Sequence, residues 1–206
     1  MRTILLTLFF VISLSQTSAQ VMRDVWLSMP DSLLPYLDGQ IRSDMLESFE
    51  KRNGEGAVGK LQESSSIEMM TPQYISVSLN DASTLQMRLL PTATDTLICV
   101  VRTYSAPQAE SEILFYNTQW EKQDRSLVRT ITPVHFFVRP ETMSESRFAE
   151  LVSIYKECLL VSATLDVEEP ILILRCSSPV ATKDEQKEME AALVQISLKW
   201  DGKFFN

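Results

Sequence analysis

The sequence predicts an α+β fold, mainly antiparallel sheet packed by a few helices. Three observations carry that prediction. Apolar and polar residues alternate in YISVSLNDASTLQMRLLP (74–91) and again in LVSATLDVEEPILILRCSSP (160–179), which is the period of half-buried strands. Strand-like segments follow one another through short polar connections, which suits antiparallel pairing because parallel strands need long crossovers. Before the first strand Ile41, Met45 and Phe49 recur at a spacing of four, and before the second hairpin Phe148, Leu151, Val152 and Tyr155 share one helical face.

Taken in order, the chain opens with MRTILLTLFFVISLSQTSAQ. Arg2 precedes an apolar run from Ile4 to Leu14, and Thr17 and Ala19 stand at small-residue cleavage positions, the pattern of a secretory signal peptide over 1–19. The apolar run is shorter than the roughly 20 residues a spanning helix needs, and no later segment comes close. No cysteine lies near the cut, so a lipid anchor has no attachment thiol. The remainder, from Gln20 onward, is long enough for one large or two small domains.

Pro30 and Pro35 permit only short helical turns before Leu37. A helix follows from about Gly39 to Arg52 with Ile41, Met45 and Phe49 as its apolar stripe, and the glycines of NGEGAVGK (53–60) stop it. Strands are then predicted at 74–79, 85–89, 96–104 and 112–120. TLICVVRTY (96–104) is apolar on both faces, which marks a strand interior to its sheet. The polar segment EKQDRSLVRTITP is the best boundary, dividing the chain into halves 20–122 and 123–206. The second half is predicted to hold a short strand at His135 to Val138 and a helix capped by Thr142 and Glu145. After the hairpin of 160–179 come a charged helix capped by Thr182 and Glu185 and a last strand from Val194 to Trp200. Both halves contain a helix and a hairpin and close on a Trp, Trp120 and Trp200, so they read as diverged helix-plus-sheet units or as one continuous domain.

Composition bounds the function. With 45% hydrophobic and 22% charged residues the chain is ordinary globular material. Its net charge of −8 becomes more negative once the Arg2-bearing leader is lost, which disfavours nucleic acid and anionic lipid as partners. Three cysteines, Cys99, Cys158 and Cys176, are too few for a disulfide framework. Cys158 and Cys176 bracket the second hairpin and are the best-placed pair for one bridge.

The motifs argue mostly by elimination. Gly54, Gly56 and Gly59 fit a dinucleotide fingerprint and Gly54 to Lys60 a phosphate loop, but the segment follows a helix and leads toward strands, the reverse of what a phosphate cradle needs. Leu61 occupies the place of the magnesium-binding hydroxyl. His135 is the only histidine, which excludes a two-histidine zinc site. It sits between apolar neighbours, as a structural strand histidine does. Asp81, Asp95, Glu110, Glu112, Asp166, Glu168 and Glu169 fall at strand ends or turns, where a pair could serve as general acid and base on a glycoside, although solvated turn carboxylates are the plainer reading. Phe115, Tyr116, Trp120, Trp200, Phe204 and Phe205 gather near strand termini, mostly as packing, with any remainder available as a binding patch.

MPDSLLPYL (29–37), RSDMLE (42–47), STLQMRLLP (83–91), ICVVRTY (98–104), SEILFYNTQW (111–120) and KWDGKF (199–204) together resemble an uncharacterised family of exported Bacteroidales proteins, a domain of unknown function. The resemblance implies a Gram-negative envelope address and brings no activity, cofactor or catalytic residue with it. The sequence therefore predicts an exported periplasmic or outer-surface protein without a lipid anchor, cofactor, metal site or catalytic residue. It is read as a binding module for an envelope or extracellular protein or glycan, using an exposed sheet face or the strand edge near Trp200. A carboxylate-dependent hydrolase of glycan or peptide and a self-associating surface component are the alternatives.

Overall fold

The computed structural model describes residues 21–52, 65–105, 108–124, 126–178 and 182–206. The predicted leader and the glycine-rich loop with Gly54, Gly56 and Gly59 lie outside these residues. The chain is α+β. It begins with helix α1 (Met22–Ser28), a 3-10 turn at Asp31–Leu33 and helix α2 (Gly39–Lys51). Five strands follow: β1 (Ser66–Thr71), β2 (Tyr74–Asn80), β3 (Ser83–Pro91), β4 (Thr96–Tyr104) and β5 (Glu110–Tyr116). After a second 3-10 turn (Pro133–Phe136) come α3 (Glu145–Tyr155), β6 (Leu160–Leu165), β7 (Ile171–Ser177), α4 (Lys183–Ala192) and β8 (Ile196–Lys199).

The strands form two antiparallel sheets, β1-β2-β3-β4-β5 and β6-β7-β8. Alternation decides what each face meets. Ile75, Val77, Leu85, Met87, Leu89, Ile98 and Val100 point one way and pack under Met22, Val25 and Trp26 of α1 and Leu46 and Phe49 of α2. Tyr74, Leu90, Cys99, Val101 and Phe115 point the other way and share a core with Ala163, Leu165, Leu172, Leu174 and Leu198 of the second sheet. The five-stranded sheet is thus a middle layer. That is why β4, interior to the sheet between β3 and β5, is apolar on both faces. Helices α3 and α4 pack on each other through Leu151, Tyr155, Met189 and Ala192, with Phe137.

Several local expectations need correction. The buried face of α2 is Arg42, Leu46 and Phe49, while Ile41 is 40% exposed. The stripe lies one residue over because Arg42 is drawn inward as a ligand for loop carbonyls: its guanidinium donates to the Leu37 and Met29 carbonyl oxygens and pairs with the Asp31 carboxylate at 3.0 Å. Strand β1 carries no alternating signal because a bulge between Ile67 and Met69 shifts its register, and Ile67 alone is buried in it. Strand β5 stops at Tyr116 because the Asn117 side-chain oxygen accepts from the backbone N–H groups of Gln119 and Glu121 at 3.0 and 2.9 Å, turning the chain. Trp120 then takes a left-handed conformation, φ 64°, held by packing on Tyr116.

His135 to Val138 is not a strand. Pro133 presets the first φ, and Thr132 and His135 cap each other reciprocally, so the segment forms a 3-10 turn. Only Phe137 makes a bridge, to Leu193. Helix α3 is capped by Ser144, whose Oγ accepts from the Arg147 N–H at 3.3 Å, and not by Thr142. The Pro140–Met143 turn has already used the residues before it. The Thr182 and Glu185 box at α4 forms as predicted.

Candidate ligand-binding cleft

The cleft begins where two strands part. Strand β7 runs to Ser177, but its pairing with β8 ends at Leu174 and Ile196. The cause lies in the segment after α4. The Val194 N–H, which would continue the ladder, instead donates to the Phe136 carbonyl at 2.9 Å, and the Val138 N–H donates to the Ala192 carbonyl at 2.8 Å. Residues 136–138 thereby pull 192–194 away from β7. Backbone groups in an antiparallel ladder alternate sides. The Arg175 carbonyl faces β6, where Ser162 Oγ donates to it at 3.4 Å. The Cys176 N–H and C=O therefore face the gap.

Helix α4 walls the gap with Gln186, Met189 and Glu190, and the strand ends contribute Arg175 to Ser178 and Leu193 to Gln195. Gln108 closes the rim of a space of about 420 Å³. Met189 is buried and Cys176 half-buried, which gives the floor an apolar part. Burial pushes the Cys176 thiol up to about 11, so it is a protonated, unreactive neighbour near neutral pH. The informative atom is Ser178 Oγ. Ser178 is 7% exposed, yet its hydroxyl has no hydrogen-bond partner among the described residues. A buried hydroxyl left unpaired costs about 1–3 kcal/mol, and such groups are rare enough that each one calls for a reason.

A wider groove of about 670 Å³ lies beside Ile113, Val128, Ile131, Phe136, Val161, Leu174 and Phe204. Its polar members, Ser126, Arg129 and Thr130, are exposed, and it holds no orphaned buried polar atom among the described residues.

The residues flagged by sequence fall elsewhere. His135 Nδ1 accepts from the Thr132 N–H at 3.0 Å and lies beside the Thr132 hydroxyl at 2.7 Å, so this ring nitrogen is occupied by the 3-10 cap. Asp166, Glu168 and Glu169 form the turn between β6 and β7. The Glu169 and Glu168 N–H groups donate to Asp166 at 2.8 and 2.9 Å and hold its carboxyl below the ordinary range. The other carboxyls among the described residues that depart from that range, Glu47, Glu185 and Asp201, are also lowered, by a Lys51 hydrogen bond, the Thr182 hydroxyl and the Phe204 N–H respectively. A general acid near neutral pH requires the opposite shift. Asp81, Asp95, Glu110 and Glu112 are exposed. Among the described residues no group of three or more His, Cys, Asp or Glu is placed to hold a metal, and no helix is long and apolar enough to cross a membrane.

The aromatic patch shrinks to one ring. Phe115, Tyr116, Trp120, Trp200 and Phe205 are buried, and Phe204 is 43% exposed. Trp200 is therefore no exposed anchor: its Nε1 donates to the Pro91 carbonyl at 2.7 Å, and the β8 edge beside it is covered at Lys199 by Asn206, with bonds of 2.9 and 3.0 Å. Cys99, Cys158 and Cys176 are free thiols, Cys99 buried and Cys158 exposed. Sequence reasoning touched the cleft at the end of the 160–179 hairpin with Cys176, at Val194, and through the Thr182 cap of its helical wall. Its glutamines and serines form no spacing motif, because they come from a loop, a strand end and a helix that only folding brings together.

No curated protein matches the chain. A solved domain of an uncharacterised protein from Porphyromonas gingivalis W83 is similar in fold, with a TM-score of 0.70, 21% identity, and 90% of this chain and 96% of that one covered. Its organism agrees with the Bacteroidales resemblance carried by the segments from MPDSLLPYL to KWDGKF. A family model described as "Protein of unknown function (DUF3256)" matches residues 14–205, which is nearly all of the chain, and the chain belongs to that family.

Proposed function

We propose that the mature chain is an exported, non-catalytic binding protein of the cell envelope, and that the cleft at the β7/β8 fork holds its ligand. The Ser178 hydroxyl carries the binding half of this reading: a buried donor and acceptor without a partner among the described residues, at the edge of a space large enough for a small ligand. The leader pattern of 1–19 supports export. The downward shifts of Glu47, Asp166, Glu185 and Asp201 make these four carboxyls poor general acids near neutral pH.

Two measurements test it. Intact-mass analysis of the protein recovered from its native cell is expected to give a chain beginning near Gln20, in the periplasmic or outer-membrane fraction. A cytoplasmic chain that keeps its leader removes the export half. Amide spectra of the isotope-labelled mature protein, titrated with soluble envelope fractions, are expected to show saturable shifts at Cys176, Ser178 and Gln195. If no fraction moves them, the binding half fails, and substrate turnover abolished by one substitution would overturn the non-catalytic part.

A further inference from the structure

We infer that the occupant of the fork cleft is an extended peptide segment, which adds as a short strand beside the unpaired end of β7. This rests on the cleft being a ligand site and goes further by naming the class of ligand. Three features lead to it. First, the ladder beyond Leu174 and Ile196 is open on the β8 side, and Cys176 presents one N–H and one C=O there, side by side. An extended peptide offers the complementary pair once every two residues, so a single residue of it can satisfy both groups. Second, the side chains around this gap include the primary amides of Gln108 and Gln195, and each amide both donates and accepts, as a peptide group does. Third, the described residues lining the cleft include no aromatic ring, so a sugar would lack a stacking platform among them, whereas Met189 and Leu193 offer an apolar seat for one peptide side chain.

Ser178, two residues beyond Cys176, lines the same cleft, and its buried Oγ has no partner among the described residues. Among the described residues, the segment that would continue β8 does not fill this position. The only segment in register to continue β8 is 193–195, and its Val194 N–H is committed to Phe136. The gap is therefore fixed by a hydrogen bond elsewhere.

The test is a selection of phage-displayed random heptapeptides on the full mature protein, followed by synthesis of the selected peptides with single N-methyl groups along the backbone. In a strand added to β7, alternate peptide N–H groups face Cys176 and the others face away. N-methylation is expected to weaken binding at least tenfold at a facing residue and to leave it unchanged at the next. The Cys176 and Ser178 amide resonances are expected to shift saturably. S178A removes a buried hydroxyl that has no partner among the described residues, so its thermal midpoint is expected to hold or rise while it binds the peptide several-fold more weakly. Selected peptides that are indifferent to N-methylation at every position, or that shift residues elsewhere, overturn the inference, as does a selection that yields no binder. If an oligosaccharide of alternating N-acetylhexosamines shifts Ser178 and no peptide does, the peptide class is overturned while the cleft stands as a ligand site. If neither probe nor any envelope fraction moves Ser178, both readings fall.

Discussion

Three arginines define how this chain holds its loops. Arg42 collects the Met29 and Leu37 carbonyls, Arg102 Nη2 donates to the Leu33 carbonyl at 2.9 Å, and Arg88 donates to the carbonyls of Asp166, Val167 and Glu168 at 2.7, 2.8 and 2.8 Å. A guanidinium suits this work because its rigid fork offers five donors and stays charged even when burial lowers its pKa, as burial does at Arg88. Replacing Arg88 by Met keeps the volume and strands the carbonyls, with a cost of roughly 2–4 kcal/mol given that bonds to charged donors contribute about 1.5–3 kcal/mol each and the turn keeps some access to water. Urea denaturation of R88M checks this, and an unchanged midpoint would show that water replaces the guanidinium. The same turn predicts an acid response. The Asp166 carboxyl is lowered in the fold by the Glu169 and Glu168 N–H groups. Its contribution is present above the unfolded value, near 3.9, and is lost as pH falls through the folded one. In D166N that contribution does not titrate, so its urea midpoint is expected to fall less steeply than that of the parent between about pH 4 and pH 2.

At the scale of elements, legibility followed period. The segments 74–79, 85–89 and 96–104 alternate or run apolar without interruption, and each became a strand with the faces that alternation requires. Strand β1 was hidden by its bulge, and the Pro133–Phe136 turn imitated a strand because VHFFV is as apolar as one. The α2 stripe slipped by one position because apolar patterning assigns Arg to the surface, whereas Arg42 is 2% exposed. The cleft was illegible for a different reason. It exists because Val194 bonds to Phe136, a tertiary competition for one N–H that no local pattern in 171–199 records. The box at α4 was legible and matters for the proposed site, since α4 is one wall of the cleft. Thr182→Ala removes the hydroxyl that accepts from the Glu185 N–H at 3.4 Å. A loss of about 1 kcal/mol is expected, typical of an N-cap. Because fraying begins one turn from Gln186, weaker binding at the cleft is expected alongside it, and a variant that lowers the thermal midpoint without weakening binding would separate the wall from the site.

Across the whole molecule, the same few side chains join the two sheets and protect an edge. Strand β6 is the outer strand of its sheet, and its outward N–H groups would be open to pairing with another chain. Two of them are instead capped by the neighbouring sheet: the Ala163 N–H donates to Ser111 Oγ at 2.9 Å and the Leu165 N–H to Gln86 Oε1 at 2.9 Å. Gln86 and Arg88 stand two apart on β3, hence on one face, so one strand of the first hairpin reads both the edge and the turn of the second. The resemblance between the two hairpins thus has a physical counterpart in their contact, through backbone groups that tolerate many side chains. Gln86→Leu leaves the Leu165 N–H buried without an acceptor, a cost of about 1–3 kcal/mol. Because Gln86 and Arg88 hold the same end of β6, Q86L and R88M are expected to be non-additive by about 0.5–3 kcal/mol in a double-mutant cycle. The shared core makes a stronger demand. Cys99 and Val101 of one sheet are buried against Leu172 and Leu174 of the other, so opening either sheet exposes the apolar face of its partner. Native-state hydrogen exchange is therefore expected to give the amides of β4 and β7 the same opening free energy, equal to that of global unfolding. A lower value confined to β7 would mean that the second sheet opens alone, and the peptide-sized gap at its fork would then be one fluctuation among many instead of a fixed site.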